Sequence, residues 1–419
     1  MGLIVYNLFL WTYGLAVRMV ATWNVKARRW LDGRRGLMDK VRTALEGEKA
    51  PIIWMHCSSL GEFEQGRPVL EKLREKYASH KFVLTFFSPS GYEVRKDYKG
   101  ADYIFYLPMD GPVRSNDFVE TVNPRLVLWI KYDYWYYYLN ALRKRDVPLI
   151  LVSGIFRKDH VFFRWYGGLQ RKMLQAFTHF FVQTEGSFDR LQKLGIISNV
   201  SVSGDTRFDR VIEIVEQFEG IPLVEKFCGQ QPVIVAGSTW LEDEEEIDHF
   251  ANTNPNIRFI VAPHEIDEER LREIEGLFET SIRYSELSTG DGRENTPNVL
   301  IIDNIGLLSR LYHYATIAYV GGGFGDDGVH NVLEAAVYGK PVVFGPVYDR
   351  YIEAVELVGS GGGFSIENAL EAEELFKQLI DNKEEYHQAC EASREYVYSR
   401  KGATEKILRV IQEKRLLTN

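Results

Sequence analysis

The sequence predicts an α/β protein of two doubly wound, Rossmann-like domains with a cleft between them, led by an N-terminal membrane-attached helix. Three observations carry that expectation. From Pro51 onward, short apolar runs alternate with longer amphipathic segments, as in a parallel sheet covered on both faces. The alternation starts again near Pro232, after a stretch without clear periodicity. A chain of 419 residues is also too long for one ordinary core and long enough for two.

The N-terminal segment comes first. Residues 3–25 read LIVYNLFLWTYGLAVRMVATWNV, with Arg18 the only charge. Nothing basic precedes this run and no small-x-small site follows it, which argues against a signal peptide. Its uninterrupted part, 3–17, falls short of the ~20 residues of a spanning helix. Trp11, Trp23 and Trp30 resemble an interfacial aromatic belt. Residues 1–46 hold eight basic side chains against three acidic ones, a net +5, while the remainder has 42 against 56, a net −14. A basic head on an acidic body suits an anionic leaflet, to which each Lys or Arg adds about 1 kcal/mol. Residues 1–26 are therefore expected to anchor the chain at the cytoplasmic face of a membrane, lying on it or spanning it, without a part in the chemistry. A buried N-terminal helix is the plainer alternative.

The strands follow. In the first half they are expected at 52–55, 82–87, 126–130, 149–152, 180–182 and 200–202. In the second half they fall at 232–236, 258–261, 300–302, 317–320, 342–344 and 363–364. Helical patterns lie between, among them 62–77, 114–121 and 133–144. A linker at 216–231 divides the body into domains 27–218 and 219–419. Residues 288–298 read as a surface loop, and the pattern after 367 is helical. A net charge of −9 argues against a nucleic-acid partner. Three scattered cysteines match no metal or redox spacing and suit a reducing compartment.

In open α/β sheets ligands sit outside the carboxyl ends of the strands. The loop after the first strand, His56-Cys57-Ser58-Ser59-Leu60-Gly61-Glu62, offers a serine cap, a glycine turn and an acid in the first helical turn. There the helix dipole favours an ionised carboxylate, so Glu62 is a seat for a general base. An ordinary helix-start acid looks the same, and so does Glu64. The segment 319–336 (YVGGGFGDDGVHNVLEAA) leads from a strand through glycines into a helix. Bare glycine amides near a helix start suit an anion. Its spacing matches neither G-x-G-x-x-G nor a P-loop. Asn331 and Glu334 stand at capping-box spacing, or Glu334 faces ribose hydroxyls and His330 a phosphate. Ser238 and Thr239 follow another strand, and Pro263-His264-Glu265 a third.

These residues resemble the 3-deoxy-D-manno-octulosonic acid (Kdo) transferases of lipopolysaccharide biosynthesis. The likeness runs from the apolar anchor through Ser59-Leu60-Gly61-Glu62, Gly204-Asp205-Thr206-Arg207-Phe208-Asp209 and Ala236-Gly237-Ser238-Thr239. It ends at Gly321-Gly322 leading to His330-Asn331-x-Leu333-Glu334. The resemblance implies a GT-B fold, CMP-Kdo as donor, and a lipid A precursor (lipid IVA) as acceptor at the cytoplasmic face of the inner membrane. It further implies inversion, with no cofactor and no required metal. Glu62 matches the proposed base, and Gly322, Gly323, His330, Asn331 and Glu334 fall in the CMP-binding stretch. Ser59, Gly61, Asp133, Arg207, Ser238, Thr239 and His264 complete the expected substrate contacts, the acceptor in the first domain and the nucleotide sugar in the second. Arg157, Lys158 and Arg207 are expected near acceptor phosphates. Two departures stand out: Lys131-Tyr132-Asp133 replaces Glu-Thr-Glu, and Pro263-His264 lacks the usual arginine between them. The tyrosines at 132–138 read as core or as an apolar rim for acyl chains. Alternatives are a GT-B transferase using a UDP-sugar, and a membrane lectin that binds nucleotide sugar without turnover.

Overall fold

The computed structural model describes residues 2–131, 133–287 and 297–417. It forms two compact units, Met1–Arg210 with Gly402–Asn419, and Val211–Lys401.

The first unit is a seven-stranded sheet of β1 (Ile52–Cys57), β2 (Lys81–Phe86), β3 (Tyr103–Tyr106), β4 (Pro124–Ile130), β5 (Leu149–Gly154), β6 (His179–Val182) and β7 (Val200–Val202). Their order is β3-β2-β1-β4-β5-β6-β7, every pair parallel. The chain starts in the middle, winds to one edge, then returns to build the other, so the topological switch lies between β1 and β4. Pleating sends alternate residues to opposite layers. Trp54, Val127 and Trp129 enter one core, while Ile53, Met55 and Leu128 enter the other.

Three helices precede the sheet: α1 (Gly2–Val20), α2 (Val25–Asp32) and α3 (Leu37–Leu45). No residue of α1 is buried, yet the helix is tied to the unit along much of its length. Tyr6 donates to Asp110 at 2.6 Å, Tyr137 donates to Asn7 at 2.8 Å, and Tyr13 lies edge-on to Trp30. Arg34, stacked on Trp30, donates to the carbonyls of Leu107, Trp30 and Phe87.

The second unit holds β8 (Val233–Thr239), β9 (Arg258–Pro263), β10 (Ser281–Arg283), β11 (Val299–Ile301), β12 (Ile317–Val320), β13 (Val342–Phe344) and β14 (Gly363–Ser365). The order β10-β11-β9-β8-β12-β13-β14 repeats the plan, with its switch between β8 and β12.

Twelve strands fall where the sequence places them. The two missed ones, β3 and β10, are short edge strands with one buried residue each, so no buried run marks them. The unit boundary falls at 210/211, inside the helix Thr206–Glu216, and the expected linker contains the helix Pro222–Cys228. Residues 402–417, expected in the second domain, belong to the first unit. There Ile407 and Ile411 pack among Met55 and Val69, and Asp209 accepts from Gly402 and Thr404 amides, each at 2.6 Å. Of the expected loop 288–298, residues 288–296 lie outside the described residues. Asn298 is buried and donates to the Ala251 carbonyl at 2.8 Å.

Candidate active site

At the switch point of the first unit, Ser59 caps α4 (Leu60–Lys76) and Glu62 occupies the third position. The Ser59 amide donates to Glu62 Oε2 at 2.7 Å and its hydroxyl donates to the same oxygen. This is a capping box, so the helix-start role is real. It also fixes the rotamer of a half-exposed carboxylate at the carboxyl end of β1. Gly61, exposed beside it, carries no side chain to crowd an approaching molecule. Glu64 differs, because Arg95 at 2.7 Å and Arg67 at 3.7 Å hold its carboxylate.

A histidine that the sequence reading passed over stands just before this loop. His56 is fully buried at the end of β1, its ring 4.5 Å from that of Trp129. Thr85 Oγ1 accepts from Trp54 at 2.8 Å and has its own proton to give His56 Nδ1 at 2.9 Å. The other ring nitrogen, Nε2, faces Asp133 Oδ2 at 3.9 Å. Asp133 thus stands at the carboxyl end of β4, across the switch from Glu62. Residues 133–135 are not helical, so the helix expected at 133–144 begins at Tyr136. Tyr132 lies outside the described residues. Tyr138 is core, as one reading had it, and donates to the Pro108 carbonyl. Tyr134 joins Arg157, His160 and Phe162 around a hollow of about 580 Å³.

Lys131, which reverses the charge of the familiar motif, lies at φ 56, an unusual backbone for lysine. Its charge acts on buried Asp205. Burial raises that carboxyl, but Arg207 and Lys131 outweigh it and hold the group below its ordinary range. Arg207 donates to Asp205 through Nε at 3.0 Å and Nη2 at 2.8 Å, so its fork is engaged within the chain.

In the second unit three strand-end loops converge, as their positions suggest. Exposed His264, after β9, lies between Trp240 at 4.6 Å and His330 at 4.7 Å, the two imidazoles nearly parallel. Trp240 Nε1 donates to His330 Nε2 at 3.2 Å. Burial, then the neighbouring His264, pushes His330 down to about 4. Near neutral pH its ring is therefore uncharged and carries its proton on Nδ1. Ser238 stands half-exposed at φ 55 near the carboxyl end of β8, where the pairing with β9 shifts register, a strained backbone of the kind that gathers at functional sites.

Two expected contacts are already engaged. Thr239 is fully buried and donates to Glu244 at 2.6 Å, which removes its hydroxyl from an incoming ligand. The Gly322 amide donates to buried Asp243 at 2.8 Å, and Asp243 also accepts from Trp240 and Tyr319. Gly323 makes a backbone crossing: a Cβ there would meet Gly345 N at 2.5 Å. The glycine run thus lets its loop touch the one after β13, while Asp243 clasps it to the segment after β8. The helix beyond, Leu333–Ala336, is too short for a sizeable dipole, contrary to the expectation from its glycine lead-in. Asn331 donates to Glu334 at 3.0 Å and accepts from the Leu333 amide at 3.3 Å, a local cap of altered geometry. Asp243 escaped notice because it sits in the acidic run 242–246, which reads as a solvated helix face.

Comparison with known proteins follows the same lines. Residues 30–210 match the family model described as 3-deoxy-D-manno-octulosonic-acid transferase. A Kdo transferase of Bordetella pertussis is 26% identical over 96% of this chain and 98% of its own. That of Aquifex aeolicus is 28% identical over 80% and 87%. A bifunctional glycosyltransferase/methyltransferase of Fusobacterium nucleatum is 30% identical over 79% of this chain, which spans 53% of that relative's length. Among solved structures, a glycosyltransferase from Rickettsia africae superposes with TM-score 0.53 at 14% identity, covering 88% of this chain and 100% of its own. The UDP-GlcNAc 2-epimerase of Methanocaldococcus jannaschii gives 0.53 at 15%, covering 86% and 99%. Fold and relatives define a class: a glycosyltransferase of the GT-B kind, with two doubly wound units. Within that class, residues 30–210 match the Kdo transferase domain, and Kdo transferases are similar to this chain over most of its length.

Proposed function

We propose that the chain transfers Kdo from CMP-Kdo to a lipid A precursor, with inversion, at the cytoplasmic face of the inner membrane. The observation that carries this reading is the Glu62 carboxylate, oriented by Ser59 at the β1–β4 switch point. In the proposed reaction a sugar hydroxyl of the acceptor gives its proton to Glu62 as its oxygen bonds to the anomeric carbon. The bond from that carbon to the CMP phosphate breaks, and CMP leaves with the electron pair. Ser238, His264 and Asn331 are the proposed contacts to the leaving phosphate, where fixed donors act on developing charge. Glu334 is the proposed acceptor for ribose hydroxyls. The hollow at Tyr134 and Phe162 is the proposed seat of an acyl chain of the acceptor, with Arg157 and Lys158 near a phosphate of its sugar headgroup. His56 is proposed to orient Asp133 rather than to meet substrate, because it is fully buried.

The deciding assay presents CMP-Kdo and tetra-acylated lipid A precursor to the protein in detergent and reads products by mass spectrometry. A product heavier by one or more Kdo residues supports the reading. Transfer from a UDP-sugar instead, or nucleotide-sugar binding without any product, replaces it.

A further inference from the structure

Beside α1 runs a groove that the proposed reaction does not use. It holds about 590 Å³. Leu10, Trp11 and Met38 line its apolar part, and Gly14 leaves a place open. A Cβ at Gly14 would meet nothing within 4 Å. Arg18, Arg35 and Arg114 also line it, all three exposed, and none of its lining residues is acidic. Arg35 does pair with Asp32 at 3.2 Å, but both side chains are largely exposed, and such solvated pairs exchange partners at little cost. Apolar walls beside three exposed guanidinium groups fit an amphiphile with an anionic head. Guanidinium forks match phosphate oxygens in pairs. The outer face of α1 says where that amphiphile comes from: Ile4 is 74% exposed and Trp11 66%. A groove opening beside such a face is open to a bilayer.

We propose that this groove holds one anionic glycerophospholipid, an acyl chain along Leu10, Gly14 and Met38 and its phosphate among Arg18, Arg35 and Arg114. The proposal rests on membrane attachment through α1 and not on sugar transfer, so the two fail separately.

The test uses the full chain, purified in a mild detergent and mixed with phosphatidylglycerol or phosphatidylcholine of matched chains. Bound lipid is counted by native mass spectrometry. Each arginine near an anionic headgroup is worth roughly fivefold in binding. The parent is expected to prefer phosphatidylglycerol by about tenfold or more. The pair Arg18→Gln with Arg35→Gln should cut that preference to about fivefold or less, while Lys26→Gln with Arg29→Gln, equal in charge lost but outside the groove, should keep it. Gly14→Leu fills the open place and should block retention with an unchanged melting temperature in lipid-free detergent. That variant decides the matter even if the arginine pair destabilises the fold. Equal retention of both lipids, equal loss in the outside pair, or full retention by Gly14→Leu overturns the proposal. Displacement of phosphatidylglycerol by an equimolar lipid A precursor also overturns it, and assigns the groove to that glycolipid.

Discussion

Single residues here hold structure at the points where chemistry is proposed. Glu62 closes a capping box and is the proposed base, and Glu62→Gln separates the two roles. The amide keeps the shape and can still accept from the Ser59 amide, so stability should change by no more than ~1 kcal/mol. A positioned base contributes ~10²–10⁴-fold, so transfer should fall at least a hundredfold while CMP binding holds. Near-normal turnover would take Glu62 out of the mechanism. Glu334→Ala removes a charged acceptor and should weaken CMP-Kdo binding by roughly 1.5–3 kcal/mol, seen as a raised KM with kcat less affected. A lower melting temperature with normal CMP binding would leave only the local cap. His330 gives a pH signature. Its folded pKa, about 4, lies below the ordinary value of 6.5, so the unfolded chain takes up the proton first. The stability this neutral ring contributes is complete above about pH 6.5 and is lost as pH falls toward 4. Urea midpoints across that window should fall less steeply in His330→Gln; an unchanged slope would show that the ring titrates normally.

Elements explain what was legible and what was not. Fully buried strands such as β1, and the spacing of Ser59 and Glu62, are local patterns, so residue order alone announces them. The pairing of His56 with Asp133, or of Asp243 with Gly322, joins positions far apart in the chain, and nothing local marks which partner each one meets. The N-terminal helix shows the same division. Its apolar character is plain in the sequence, but its attachment to the unit depends on Asp110, a buried carboxylate whose pKa burial raises and four donors pull back. The sequence alone expects removal of residues 1–26 to be harmless to the body. The structure predicts otherwise, since Asp110 would lose its phenol and Trp30 its cover. Tyr6→Phe tests this with a single atom. One hydrogen bond to a charged group should cost about 1.5–3 kcal/mol, read as a lower thermal midpoint in detergent. An unmoved midpoint would mean that α1 is held by other contacts.

At the scale of the whole molecule, the chain leaves the first unit near 210 and rejoins it at 402. Asp209 holds the returning segment by accepting hydrogen bonds from two backbone amides, 193 and 195 positions away. Asp209→Ala should lower stability by roughly 1.5–3 kcal/mol. Hydrogen exchange should quicken in the helix Ala403–Glu413 and in α4 beneath it, while Val211–Lys401 stays protected. Loosening spread evenly over both units would contradict that assignment. The detour also orders events during synthesis. The ribosome makes every residue of the second unit before it makes the helix that covers Met55 and Val69. The first sheet therefore emerges early but stays open on one face, and the later unit is complete in sequence first. Nascent chains stalled just after Lys401 should carry a protease-resistant second half behind a first half still in need of a chaperone.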